Sequence, residues 1–69
     1  MMKLVGSIYY GKQSILADVD VEGVAADFTY YLDDHTAYLY FKNTEDGMEL
    51  NNRQAADLLY ILQHQNGDF

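Results

Sequence analysis

Carboxylates are the most abundant chemistry-bearing side chains in this chain, and their spacing is more informative than their number. Asp18, Asp20 and Glu22 alternate with Val19 and Val21. In an extended strand alternate residues share one face, about 6.7 Å apart, which is the scale of neighbouring phosphates along a nucleic-acid strand. Asp33 and Asp34 form a second acidic group, and Glu45, Asp46 and Glu49 a third. A protein that binds phosphate presents Lys and Arg in such rows. A protein that imitates phosphate presents carboxylates, and these eight residues are the candidate partner-binding set.

Other chemistries find less support. The run Asp18-Val19-Asp20-Val21-Glu22-Gly23 has the look of the opening of a calcium loop. Such a loop needs a bidentate Glu at its twelfth position, which here is Thr29. Val19 and Val21 also suit core positions of a strand better than a loop, so no metal site is expected. His35 and His64 have no second His or Cys at ligand spacing. Ser7 and Ser14 have no candidate base beside them, and no Gly-rich phosphate loop is present. A carboxylate pair remains chemically available, but a chain this short leaves little room for an enclosed pocket. The expectation is a non-enzyme with no catalytic residues, no metal and no cofactor.

The elements that must position these acids follow from periodicity. Lys3–Tyr10 and Gln13–Val21 read as a hairpin about Gly11-Lys12. Pairing Tyr10 with Gln13 sets Ile8 on Ile15, Gly6 on Ala17, Leu4 on Val19 and Lys3 on Asp20, with one uniformly apolar face. Glu22–Asp27 reads as a break containing a loop or one helical turn. Phe28–Asp33 and Ala37–Lys42 read as a second hairpin about Asp34-His35, with Tyr30 on Leu39 and Phe28 on Phe41. Asn43–Gly47 is a turn by composition. Asn51 and Gln54 fit a helix capping box, with Leu50 and Ala55 as its hydrophobic staple. Ala55, Leu58, Leu59 and Leu62 then form one apolar stripe, and Asn66-Gly67 supplies a left-handed stop. The predicted fold class is α+β: a single ββββα domain over residues 1–69, with a four-stranded antiparallel sheet of two hairpins and one C-terminal helix on its apolar face. Tyr9, Tyr31, Tyr38 and Tyr40 fall on the opposite face and are candidate interface aromatics.

Composition narrows the partner. Four Lys and Arg against eleven Asp and Glu give a net charge of −7, while 49% hydrophobic residues and seven Tyr argue for a folded chain rather than a disordered one. The field of such a protein repels nucleic acid and membrane surfaces and attracts basic protein surfaces. With no Cys there is no disulfide framework, and the apolar runs are too short for a membrane span. A cytoplasmic location is the simplest expectation. A small core without staples would also gain stability by burying surface in a homodimer.

In these respects, and in the acids of Asp18-Val19-Asp20-Val21-Glu22, Asp33-Asp34 and Glu45-Asp46, the chain resembles the small acidic host-takeover proteins of bacterial viruses. Within that group it is similar to DNA mimics, including the type that inhibits the histone-like protein HU. The resemblance implies sequestration of a basic DNA-binding protein in the host cytoplasm, with no cofactor and with a dimeric arrangement common. The alternative is an acidic structural or regulatory protein-interaction domain, dimeric or not, whose acidity serves solubility alone.

Overall fold

Period-two alternation of apolar residues builds most of this chain into one sheet. The computed structural model describes residues 2–68, in the order β1 (Met2–Tyr10), β2 (Ser14–Val21), β3 (Val24–Tyr31), β4 (Thr36–Phe41), β5 (Asp46–Leu50) and α1 (Asn52–Gln65). The strands form a single antiparallel sheet in chain order, β1-β2-β3-β4-β5. The α+β class and the C-terminal helix agree with the sequence reading. The strand count does not, since the sheet has five strands where four were expected.

The sheet departs from the expectation at two places, of which the second supplies the fifth strand. The expected break at Glu22–Asp27 is a two-residue turn followed by strand, because Val24, Ala26, Phe28 and Tyr30 continue one inward-facing row. Glu22 and Gly23 both have positive φ, at 52° and 88°, the backbone that a tight hairpin between right-twisted strands requires. The Asp20 carboxylate secures this turn by accepting the Gly23 N–H at 2.6 Å. The second correction is β5, whose Asp46 and Gly47 lie in what composition reads as a turn. Gly47 belongs in the strand because the phenol end of Tyr38 lies across it, filling the space a side chain would occupy.

Both expected hairpin registers are displaced by two residues near their turns. In the first, Tyr10 pairs with Ile15 and the turn centres on Lys12-Gln13, closed by Gly11 N–H donating to Ser14 at 2.9 Å. Between Val5 and Tyr9 the register shifts, so that beyond this irregularity Leu4 meets Val19 and Lys3 meets Asp20 as expected. In the second, Tyr31 pairs with Thr36, Tyr30 with Ala37 and Phe28 with Leu39, across a loop of four residues. His35 ends that loop at φ 59°, and Glu45 ends the equivalent loop between β4 and β5 at φ 57°. A shift of two keeps every side chain on its face. The expected apolar face is therefore correct even where the expected partners are not.

That face is the core. Ile8, Ile15, Ala17, Val19, Ala26, Phe28, Tyr30, Ala37 and Leu39 are buried, as are Ala55 and Leu62 of α1, with Leu58 and Leu59 packed at the margin. The helix begins at the expected capping box: the Asn51 side chain accepts from Gln54 N–H at 2.8 Å, and Gln54 Oε1 accepts from Asn51 N–H at 3.1 Å. It ends in a Schellman arrangement, with Gly67 N–H donating to His64 and Asp68 N–H to Gln63, and Gly67 at φ 82°.

The end of the helix also ties down the first strand. Leu4 N–H donates to Gln65 Oε1 at 2.6 Å and Gln65 Nε2 donates to the Met2 carbonyl at 3.1 Å, so a side-chain amide occupies part of the β1 edge. The Tyr10 hydroxyl donates to the Asp68 carboxylate. That bond holds the phenol's pKa above its ordinary value, aided by the small desolvation of the site. A raised folded-state pKa means the stabilisation is complete below the unfolded value and is lost as pH rises through the folded one. In an alkaline titration followed by tyrosinate absorbance, Tyr10 should therefore ionise above its ordinary value, and Asp68→Ala, which removes the acceptor, should abolish the upward shift. An unchanged curve in that variant would dismiss the Tyr10–Asp68 bond.

Candidate acidic interface

The sheet face away from the helix carries Asp18, Asp20, Asp27 and Glu49, whereas Asp46, opposite Phe41 and in phase with buried Leu50, falls on the helix side. Asp18 and Asp20 of β2 alternate with buried Ala17 and Val19, so both project outward. Asp27 of β3 stands directly opposite Asp18 in the register, and Glu49 of β5 stands opposite Tyr38. Asp27 was not among the expected site residues because its segment was read as a break. The signal that places it is the Val24-Ala26-Phe28-Tyr30 alternation, which fixes every intervening residue on the outer face.

The structure brings some of the expected acids together and separates others. The expected row of Asp18, Asp20 and Glu22 stops at Asp20, because β2 ends at Val21 and Glu22 enters the turn. In an antiparallel meander successive turns alternate between the two ends of the sheet. Glu22, Glu45 and Asp46 thus lie at one end and Asp33 and Asp34 at the other. Asp18, Asp20, Asp27 and Glu49 span the surface between them. The acids form a band over the outer face and round both ends, not a single patch.

Two cations share this face, Lys3 opposite Asp20 and Lys42 at the start of the β4–β5 loop. Lys42 Nζ lies 3.3 Å from Asp27 and 3.6 Å from Asp18, relieving the repulsion between two carboxylates fixed opposite each other. The bond to Asp27, then the charges of Asp27 and Asp18, hold the Lys42 pKa above its ordinary value. These groups are exposed, and water and salt screen the attraction. Asp34 is engaged locally: its Oδ1 accepts the Thr36 hydroxyl at 2.6 Å and the Thr36 N–H at 3.2 Å, and these bonds hold its pKa below the usual carboxylate range.

The four candidate aromatics all belong to this face. Tyr9 and Tyr31 are exposed, whereas Tyr38 and Tyr40 are half-buried. Leu16 is exposed opposite Tyr9 and Val5 is exposed opposite Asp18, so the face also carries aliphatic surface. His35 Nδ1 lies 3.1 Å from the Tyr30 hydroxyl and His64 packs against the Tyr60 ring, so each has a structural partner. Among the described residues no group of three or more His, Asp or Glu side chains is placed to hold a metal ion. Among the described residues no helix is long and apolar enough to cross a membrane. Comparison of the chain with protein-family models, with curated proteins and with solved structures returned no match.

Proposed function

We propose that this chain binds a basic nucleic-acid-binding protein and occludes its DNA-binding surface, offering carboxylates where DNA offers phosphates. The observation that carries this reading is the outer sheet face: Asp18, Asp20, Asp27 and Glu49 stand on the side of the sheet away from α1, which no other element among the described residues covers, continued at both ends by turn acids. A sheet is well suited to the task, because its register fixes the spacing of charges that on loops would wander. Such a domain needs no cofactor and no catalytic group. It inhibits by occupancy, driven by charge attraction at a distance and by shape on contact. The histone-like protein HU, in a bacterial cytoplasm, is the first partner to test, and host takeover by a virus is the setting in which such an inhibitor is useful.

A second reading has its own observation. Val5, Tyr9, Leu16 and Tyr31 leave apolar surface exposed on the same face, as an ordinary interaction or dimerisation domain would. Salt separates the two readings, since charge attraction weakens as salt rises and apolar contact does not.

A pull-down from bacterial lysate at low salt tests the proposal. The intact chain is compared with a variant in which Asp18, Asp20, Asp27, Asp33 and Asp34 become Asn and Glu22 and Glu49 become Gln. Asn keeps an acceptor for Gly23 N–H and for Thr36, so the turns at both ends of the sheet should survive. Retention of a basic DNA-binding protein by the intact chain alone, with competition by added DNA, is the expected result. Identical capture by both chains would show that the acids serve solubility, and would move attention to the aromatic residues.

A further inference from the structure

The irregularity in β1 has a chemical consequence for the same face. Gly6, at φ 82°, with Ser7 and Ile8, occupies the stretch where β2 supplies only Ala17. Extra residues in one strand re-aim the side chains around them, and Gly supplies the positive φ that this requires. Beside the irregularity lies an open hollow of about 410 Å³, bordered by Ser7, Tyr9, Leu16 and Thr29, with Asp18 and Asp27 at its rim. Its exposed apolar wall is Tyr9 and Leu16, 65% and 42% exposed, with the hydroxyls of Ser7 and Thr29 beside them.

Charge decides what fits. A second copy of this chain would bring carboxylates against Asp18 and Asp27, at a net charge of −7 on each copy. The occupant that satisfies walls and rim together is an apolar side chain flanked by Lys or Arg. Proteins that bind the DNA minor groove carry this combination, an apolar wedge of Leu, Ile, Met, Phe or Pro between basic residues. We propose that the hollow receives the wedge residue of such a protein, while Asp18 and Asp27 exchange Lys42 for the flanking cations. This inference rests on the function proposed above and narrows its target class to minor-groove binders. It assigns to Leu16 and Tyr9 the place that the parted base pairs hold in DNA.

The test uses two synthetic peptides of identical Lys and Arg content, one with Leu and the other with Ser at its centre. Each is titrated into the isotopically labelled full chain and followed by NMR. The Leu peptide should bind about tenfold more tightly or better, the effect of burying one aliphatic side chain, with its largest shifts at Ser7, Tyr9 and Leu16. Leu16→Ser, a change at an exposed position, should erase that advantage and leave the affinity of the Ser peptide unaltered. Equal binding of the two peptides would overturn the wedge site while leaving the acidic interface intact. Persistence of the advantage in Leu16→Ser would overturn it too, by placing the anchor elsewhere. Binding of neither peptide would count against both the wedge site and the acidic interface.

Discussion

Phe28→Ala is expected to leave the chain largely unfolded at room temperature. Phe28 sits in the middle strand, paired with Ala17 on one side and Leu39 on the other, and is 1% exposed. Its two strand partners and the nearby Ala26 and Ala37 cannot grow to fill the space that a missing ring leaves. Truncation of a buried Phe costs about 3–5 kcal/mol in transfer and cavity terms together. At roughly 0.05–0.15 kcal/mol per residue, the whole domain holds only about 3–10 kcal/mol. One substitution therefore removes much or all of the margin. Circular dichroism with a urea titration gives the check: a cooperative transition with a midpoint near that of the parent would mean Phe28 is not the centre of the core.

The second large effect is expected at the helix. Leu62 is fully buried and comes from the face of α1 that meets the sheet, while its neighbour Ile61 points away and is 36% exposed. Leu62→Ala should cost about 2–5 kcal/mol, and Ile61→Ala far less because much of its surface is already in water. For a domain of this size each kcal/mol corresponds to a shift of about 4–8 °C in Tm. Leu62→Ala should thus lower Tm by about 8 °C at the least. Thermal melts of the two variants side by side make the comparison internal. Equal shifts would show that the helix docks by a different face from the one described.

These two residues were legible in sequence for different reasons. Leu62 lies on the helical stripe with Ala55, Leu58 and Leu59, between a start at Asn51 and a stop at Gly67, and every one of those signals is realised. Phe28 lies on an alternating row, and its burial survives the two-residue error in register because an even shift preserves the face. Leu4–Val19 and Lys3–Asp20 pair as the sequence implies, but the partners of Phe28 and Tyr30 in β4 were not legible. They depend on a loop of four residues that holds His35 at positive φ, a conformation that residue type alone does not announce.

The missed elements have equally specific causes. Ala25 and Ala26 weaken the β signal of β3, and Gly23 marks both a break and a tight turn. In β5, Asp46 and Gly47 have the composition of a loop, and only the Tyr38 ring across Gly47 explains the strand. The acidic site was half legible. The Asp18/Asp20 row followed from alternation, but Asp27 depended on recognising β3 from its start. The division of the turn acids between the two ends required the full strand order. The hollow beside Leu16 depends on the β1 irregularity, which a lone Gly in an apolar strand suggests without locating.

The meander order has a kinetic consequence. Each strand pairs only with strands adjacent in the chain, so each pairing closes a loop of few residues and loses little chain entropy in doing so. Hairpins can add one at a time to a growing sheet, and a topology dominated by such local contacts folds quickly for a protein rich in β-structure. The chain has no proline, so no slow prolyl isomerisation delays it. Beyond the packing of α1 on β1 and β4, the longest closures are those of Gln65 on Leu4 and of Asp68 on Tyr10, contacts that span almost the whole chain. These join the two termini, and they should be the last contacts to form and the first to open.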